Sequence, residues 1–463
     1  MPAKPKTAFV CQSCGNQFPK WIGRCPSCQG WNTLVEERVV APPKGRGAAR
    51  APREAIPLDD VSSDAETRIS TGISEFDRVL GGGVVRGSLV LLGGDPGIGK
   101  SSLLMQASAS LAERGTVLYV SGEESATQIK LRARRFGIES HNILVLAETD
   151  LGTIIEAIRR VHPIFTVIDS IQTMSSEVIG SAAGGVSQLR ECAARLLDVA
   201  KGDDVPIFLV GHVTKEGAVA GPRVLEHIVD AVLYLEGERF HSFRILRGAK
   251  NRFGSTDEVG VFEMAENGLR EVANPSEVFL EERTKGVAGS VIVPTVEGTR
   301  PLLVEVQALV TPTNFGLPRR TVSGTDPQRL AVLLAVLAKR AGIGLGQHDV
   351  YVNLVGGLRV REPAADLGVA VALASALRDK PADPRTVFVG ELGLGGELRR
   401  VQRLAARLKE AQRLGFTRAV IPEASLADLN GTGGGAPGRE ATLEVVGASS
   451  LRDALTRSGI AES

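Results

Sequence analysis

The sequence predicts an α/β chain built around a phosphate-binding domain with a parallel sheet, and three observations predict it. Short apolar runs alternate with helical patterns from Arg68 to Asp230. The segment Gly94-Asp95-Pro96-Gly97-Ile98-Gly99-Lys100-Ser101 lies between one such run and one such helix. Four of the five cysteines crowd between Cys11 and Cys28. Near-continuous apolar strands separated by helices need a sheet covered on both faces, because neither side of the strand is polar enough to meet water.

A chain of 463 residues has room for two or three domains. Aromatic residues make up 4% of it, so the cores must be mostly Val, Leu, Ile and Ala. The formal net charge is +1, which excludes a global basic field; any polyanion site must come from local clustering. No apolar run approaches the roughly 20 residues a membrane helix needs. Met1 to Lys6 offers no apolar stretch before Phe9, unlike a secretory signal. The expectation is a cytoplasmic protein with no membrane partner.

Four blocks follow in order. Residues 1–36 form a module with the spacing Cys11-x2-Cys14-x10-Cys25-x2-Cys28. Two Cys-x-x-Cys knuckles joined by a short loop match a four-thiolate zinc site, and four thiolates leave no open position for catalysis. Trp21, Trp31, Lys20 and Arg24 in this module suit nucleic acid or a protein partner equally well. Residues 37–66 read as a linker, because Ala41 to Arg53 is rich in Pro, Gly and Arg and cannot pack a core. Residues 67–274 carry strands at 88–92, 116–120, 165–169 and 207–211, helices at 101–114 and 128–135, and a closing β meander after Asp230. Cys192, within an expected helix at 188–197, reads as a small buried apolar residue. Residues 275–463 carry two long helices, at 328–340 and 366–378, among strand-like runs.

The loop at Gly94 supplies backbone N–H groups uncrowded by Cβ atoms, followed by the positive end of a helix. Lys100 is expected at the β- and γ-phosphates of a nucleotide and Ser101 at Mg²⁺. Asp169, at the tip of an apolar strand, is expected to anchor the same Mg²⁺. Glu123 and Glu124 follow the second strand, where a carboxylate could orient the attacking water; Glu123 is favoured. Lys250-Asn251-Arg252-Phe253-Gly254 could reach a phosphate or be a solvated basic turn.

Taken together, the four-Cys module, the Gly94 loop, the pentapeptide from Lys250 to Gly254 and the C-terminal block make the whole chain resemble the bacterial RadA (Sms) DNA-repair proteins. The resemblance implies a RecA-like P-loop ATPase core with an N-terminal four-Cys zinc module and a C-terminal Lon-protease-like α/β domain. It implies ATP, Mg²⁺ and Zn²⁺ as cofactors, with Gly94 to Ser102 and Asp169 at the nucleotide. It implies a homo-hexamer in the cytoplasm, at the nucleoid. The implied partners are single-stranded and branched DNA and the RecA recombinase. The implied activity is DNA-stimulated ATP hydrolysis that drives branch migration or unwinding of strand-exchange intermediates. Lys250 and Arg252 then resemble a finger inserted into a neighbouring subunit's nucleotide.

In the Lon-like block, Arg361-Glu-Pro-Ala364 stands where the peptidases carry their nucleophilic Ser. The position of their Lys falls near Ala405, with Arg407 close by. Alanine can neither attack a carbonyl nor take a proton, so a scaffold without proteolysis is expected. Arg359, Arg361, Arg399, Arg400 and Arg403 make the block locally basic, which fits a phosphate-lined channel or a solvated face. The Gly/Ser-rich segment 177–187 is expected to be a mobile channel loop. Two other readings stand beside the motor: a nucleotide-switched clamp on DNA or RecA, and an ATP-dependent peptidase, which the absence of a Ser at 364 disfavours.

Overall fold

The computed structural model describes residues 6–11, 16–39, 57, 68–212, 224–237, 243–281, 283–313, 316–355, 360, 362–429 and 443–461. Cys14, Arg359 and Arg361 lie outside the described residues, as does most of the expected linker. The chain divides into two units, Met1–Val272 and Ala273–Ser463.

The first unit opens with a small antiparallel sheet of β1 (Lys6–Cys11), β2 (Gln17–Phe18) and β3 (Leu34–Val39), in the order β2-β1-β3. β3 runs three residues past the module boundary expected at 36. Among the described residues, Cys11, Cys25 and Leu34 form its core cluster, with Phe9, Phe18 and Ile22 packed against them, and Val10 is buried as well.

After α1 (Ser74–Leu80) the chain builds a nine-stranded sheet. In chain order the elements are β4 (Leu89–Gly94), α2 (Lys100–Leu111), β5 (Val117–Ser121), α3 (Ala126–Arg135), β6 (Ile143–Ala147), α4 (Leu151–Val161) and β7 (Phe165–Asp169). There follow α5 (Val186–Asp203), β8 (Ile207–His212), β9 (Ala231–Glu236), β10 (Phe243–Asn251), β11 (Val259–Ala265) and β12 (Gly268–Glu271). Their spatial order is β12-β11-β10-β9-β4-β8-β7-β5-β6. The six strands from β9 to β6 are parallel, and β10 to β12 add an antiparallel meander to the same sheet. Every residue of β4, β5 and β7 is buried, as strands covered on both faces require. One face packs Phe76 of α1, Leu103 and Leu104 of α2 and Ile129 of α3; the other packs Ile154 of α4 and Leu196 of α5. Cys192 lies in that second core, fully buried, and burial pushes its thiol up to about 12.

Two carbonyls of the segment 177–187 are met by one buried side chain. Gln188 is buried and donates to the carbonyls of Ser176, Ile179 and Ser181, while its own oxygen accepts from Ser176 N. One side chain thus satisfies backbone groups that no strand or helix partner meets.

In the second unit, α6 (Pro275–Glu281) precedes β13 (Ser290–Glu297), β14 (Arg300–Pro312), β15 (Arg320–Ser323), α7 (Pro327–Ala341), β16 (His348–Leu354) and α8 (Asp366–Arg378). Then come β17 (Thr386–Phe388), the short pair β18 (Glu391–Leu392) and β19 (Leu398–Arg399), and α9 (Leu404–Arg413). The unit ends with β20 (Arg418–Pro422), α10 (Leu426–Leu429), β21 (Glu444–Ala448) and α11 (Leu451–Arg457). The main sheet has the order β15-β16-β14-β13-β17-β20-β21. The first ten residues of α8 are all buried, so this helix is the unit's central core element.

An ion pair between buried Arg407 and half-buried Glu362 ties α9 to the segment before α8. Arg407 donates to both carboxylate oxygens of Glu362 at 2.7 and 2.6 Å, and to Pro294 O at 2.8 Å. Glu362 also accepts from Val296 N at 2.8 Å and from Thr295. Burial alone would raise the Glu362 carboxyl, but the guanidinium and these donors hold it below its ordinary value. A depressed folded-state value means stability that is present above the unfolded pKa and lost as pH falls through the folded one. Glu362→Ala strands a buried guanidinium and is expected to cost roughly 3–5 kcal/mol. It should lower the denaturation midpoint of residues 273–463, with the deficit narrowing in acid. Arg399→Ala, on the surface, should change that midpoint by less than about 0.5 kcal/mol.

Candidate functional site

β4 brings Gly94 to the edge of the sheet, and α2 begins at Lys100. A Cβ at Gly94 would lie 2.5 Å from Leu235 O on the neighbouring strand, so no other residue fits there without a shift. Gly99 takes φ of 117° to turn the chain into the helix. Lys100 is 3% exposed, and its Nζ donates to Gly94 O at 2.8 Å and Asp95 O at 2.9 Å. It therefore spans the mouth of its own loop. Burial lowers its pKa to about 8 against the opposing pull of Asp169, Asp95 and Glu123.

The facing wall is made by strand tips. β5 and β7 pair in parallel with Ser121 opposite Asp169, so the residues just past each strand meet. Tyr119 is fully buried and donates to Asp169 Oδ2 at 2.7 Å. Arg132, from α3, donates to Tyr119 Oη at 3.0 Å and pairs with Glu124 at 2.6 Å. Glu123 accepts from Ser170 Oγ, and its Oε1 is 3.3 Å from His212 Nε2 at the tip of β8. The His212 contact and the Ser170 bond outweigh burial and bring the Glu123 carboxyl down to about 2. Pro96, Gly97, Ser101, Ser121, Glu123, Glu124, Arg132, Asp169 and His212 line one cleft of about 360 Å³. The cleft has a Gly-rich helix N-terminus on one side and carboxylates on the other, which is a cradle for a phosphate chain and its cation.

Lys250 and Arg252 are elsewhere. Through β9, Asn251 is in register with Ala231, and Ala231 with Val90 near the start of β4. The Gly94 loop leaves the other end of β4, roughly 13 Å further along the strand. Lys250 Nζ donates to the carbonyls of Glu226 and Val229, both at 2.7 Å. Arg252 is 3.3 Å from the buried carboxylate of Asp230, and its backbone N donates to Asp230 O at 3.1 Å. Asn251 closes the turn, accepting from Phe253 N and donating to Leu80 O. The pentapeptide is thus a built turn rather than a loose basic one.

In the ribbon, the Sγ atoms of Cys11, Cys25 and Cys28 lie within 4.8 Å of one another, and Cys11 is 3.6 Å from Cys28. A tetrahedral zinc with sulfurs at about 2.3 Å needs sulfur pairs roughly 3.8 Å apart, so these three fit a zinc ion. When bound, zinc supplies folding energy that so small a core cannot.

At the Lon-like position the 3₁₀ turn Pro363–Ala365 leads into α8, and Ala364 is buried with its carbonyl accepting from Gly390 N at 2.9 Å. Ala405 and Arg407 lie in the first turn of α9. Arg399, Arg400 and Arg403 precede that helix rather than lining its face: Arg399 pairs with Glu397 and Glu391, and Arg400 with Asp428. Much of their charge is already answered locally.

His212, Tyr119, Arg132 and Ser170 are site residues that the sequence reading leaves out. The strand-tip logic that singles out Asp169 also applies to His212, one residue past the apolar run 207–211. Tyr119 and Arg132 carry no such signal.

Fold and cleft define a P-loop ATPase, an ATP-hydrolysing enzyme. Residues 52–218 match the family described as an AAA domain. Residues 9–36 match the rubredoxin metal binding domain, and residues 307–425 match subunit ChlI of Mg-chelatase. The DNA repair protein RadA of Bacillus subtilis is 53% identical over 462 residues, covering 98% of this chain and 99% of that protein. DNA repair protein RadA of Listeria monocytogenes is 54% identical over 425 residues, covering 91% and 93%. The chain belongs to the RadA family. Among the described residues, no helix is long and apolar enough to cross a membrane.

Stripping zinc with a chelator is expected to unfold β1 to β3. Both of the chain's tryptophans are in this module but are exposed when it is folded, so faster proteolysis within residues 1–36 after chelation reads the loss.

Proposed function

We propose that this chain is a DNA-dependent ATPase of recombinational repair that translocates on single-stranded DNA as a homo-hexamer. In this reading it promotes branch migration or unwinding of RecA strand-exchange intermediates in the cytoplasm, at the nucleoid. Its relatives bear the name of DNA repair proteins. Residues 67–274 are the motor and residues 1–36 the zinc module, joined by the linker at 37–66. Residues 275–463 are a Lon-like scaffold without proteolysis, since a buried alanine at 364 offers no nucleophile.

Gly94 to Ser102 hold the phosphates of ATP, with Lys100 exchanging the carbonyls of Gly94 and Asp95 for phosphate oxygens. Ser101 and Asp169 hold Mg²⁺, which supplies charge neutralisation when bound. Glu123 orients the attacking water. Its low pKa keeps it ionised as a hydrogen-bond acceptor, whereas Glu124 is held by Arg132. Lys250 and Arg252 act on a neighbouring subunit's nucleotide, stabilising charge that develops in the transition state. The observation that carries this reading is the strand register: the turn and the Gly94 loop leave opposite ends of the sheet. A head-to-tail ring joins such ends between subunits.

A mixing experiment tests the arrangement. Lys100→Ala and Lys250→Ala should each be nearly inactive in single-stranded-DNA-stimulated ATP turnover. An equal mixture should recover about a quarter of wild-type turnover, because random assembly brings an intact loop beside an intact finger at one interface in four. No recovery on a mixed ring would sink the trans assignment. The lysine itself gives a pH signature. Its folded value of about 8 in the empty loop should rise against phosphate, so nucleotide binding near pH 8.5 should take up protons. Calorimetry in buffers of different ionisation enthalpy measures the uptake, and affinity should fall as pH rises above 8.

A further inference from the structure

We propose that the Trp21–Trp31 face of the zinc ribbon is a stacking platform for single-stranded DNA. The chain has two tryptophans, and both are on this small module. Trp21 is 54% exposed and Trp31 70%, so neither contributes much to the ribbon's own core. An indole usually earns its place by burial; two left open on one module point to an external partner. The rings converge: Trp21 Cη2 and Trp31 Cζ3 lie 3.6 and 3.8 Å from the point where a Cβ on Gly23 would sit. Glycine between them keeps the floor of the face clear.

The charge around the rings selects the partner class. Exposed Lys20 and Arg24 flank them, and Glu36 is the sole acidic residue between positions 16 and 36. Arg24 lies across from Trp31 in an isolated bridge, with its guanidinium 5.7 Å from the ring centroid. Its Nε donates to Gln29 O at 3.1 Å, which fixes the cation beside the aromatic surface. Exposed aromatic faces with cations between them bind bases by stacking and the backbone by charge, with little demand on sequence. An acidic peptide would use the cations but not two broad flat rings. The proposal rests on the DNA reading above and assigns the zinc module a direct part in it.

The two tryptophans are also the probe. Zinc-loaded full-length protein is titrated with dye-labelled oligo(dT), following dye anisotropy and tryptophan emission together. The platform predicts quenching that tracks the anisotropy rise. Trp21→Ala or Trp31→Ala should weaken binding roughly five- to a hundredfold at unchanged zinc content, while Trp31→Phe keeps most of the affinity. Should an alanine variant lose zinc, the quenching of the unmutated protein decides alone. Anisotropy that rises with emission unchanged overturns the platform and leaves the face to a protein partner, with DNA binding elsewhere intact. No anisotropy rise at all overturns the DNA reading and the platform with it.

Discussion

Parallel pairing of β4, β8, β7 and β5 is the constraint on which the nucleotide site depends. Parallel strands end on the same edge, so whatever follows each strand arrives at one place. Gly94, Ser121, Asp169 and His212 are those strand ends, spread along the chain from position 94 to position 212. The helices between them are crossovers that return each strand to the same edge, and their apolar faces bury the sheet that holds the edge rigid. The loop after β4 and the short turn after β5, which carries Glu123 and Glu124, complete the site.

Electrostatics within the cleft follow from that crowding. Asp169, Glu123 and Glu124 bring three carboxylates to one wall, and each has a donor assigned to it: Tyr119 to Asp169, Ser170 and His212 to Glu123, Arg132 to Glu124. Lys100 faces this wall yet remains a weaker acid than burial alone would make it, because the carboxylates pull its pKa back up. Its two carbonyl contacts are neutral acceptors, weaker than charged oxygen. A phosphate chain offers the lysine better partners without moving the backbone that presents it.

The legibility of these features from sequence follows their range. The Gly94 loop is contiguous, so its glycines, lysine and serine can be read in a row. Asp169 is visible because an apolar run ends on it. The helix 366–378 is visible because its interior is almost wholly apolar, with Ser375 the one polar side chain between Asp366 and Arg378, and it is observed with those bounds. β6 is an edge strand with Leu144 and Val145 partly exposed, and the alternation reading gives no strand there. Arg132 and Tyr119 become partners of Asp169 only through the packing of α3 on the sheet and the register of β5 beside β7. Segment 177–187 has the composition of a free loop, yet Gln188, one residue beyond it, donates to its carbonyls at Ile179 and Ser181. Single-residue composition cannot show that kind of organisation, since it depends on where one amide is buried.

The C-terminal unit pairs a Lon-like fold with alanine at the two positions that the sequence reading compares with a serine–lysine pair. A serine–lysine pair needs a hydroxyl before α8 and an amine on α9, and both must be free to exchange a proton. Here a methyl group stands at 364 and another at 405. Two residues along the helix, Arg407 reaches across the same region to Glu362 and Pro294 O. A guanidinium stays protonated at any working pH, so it holds a carboxylate permanently and cannot serve as a base. The bidentate pair fixes α9 against β13 and the start of α8, the same elements a catalytic pair would need to align. A constraint of this kind favours a rigid scaffold, because any motion that would open the region must first strand a buried charge.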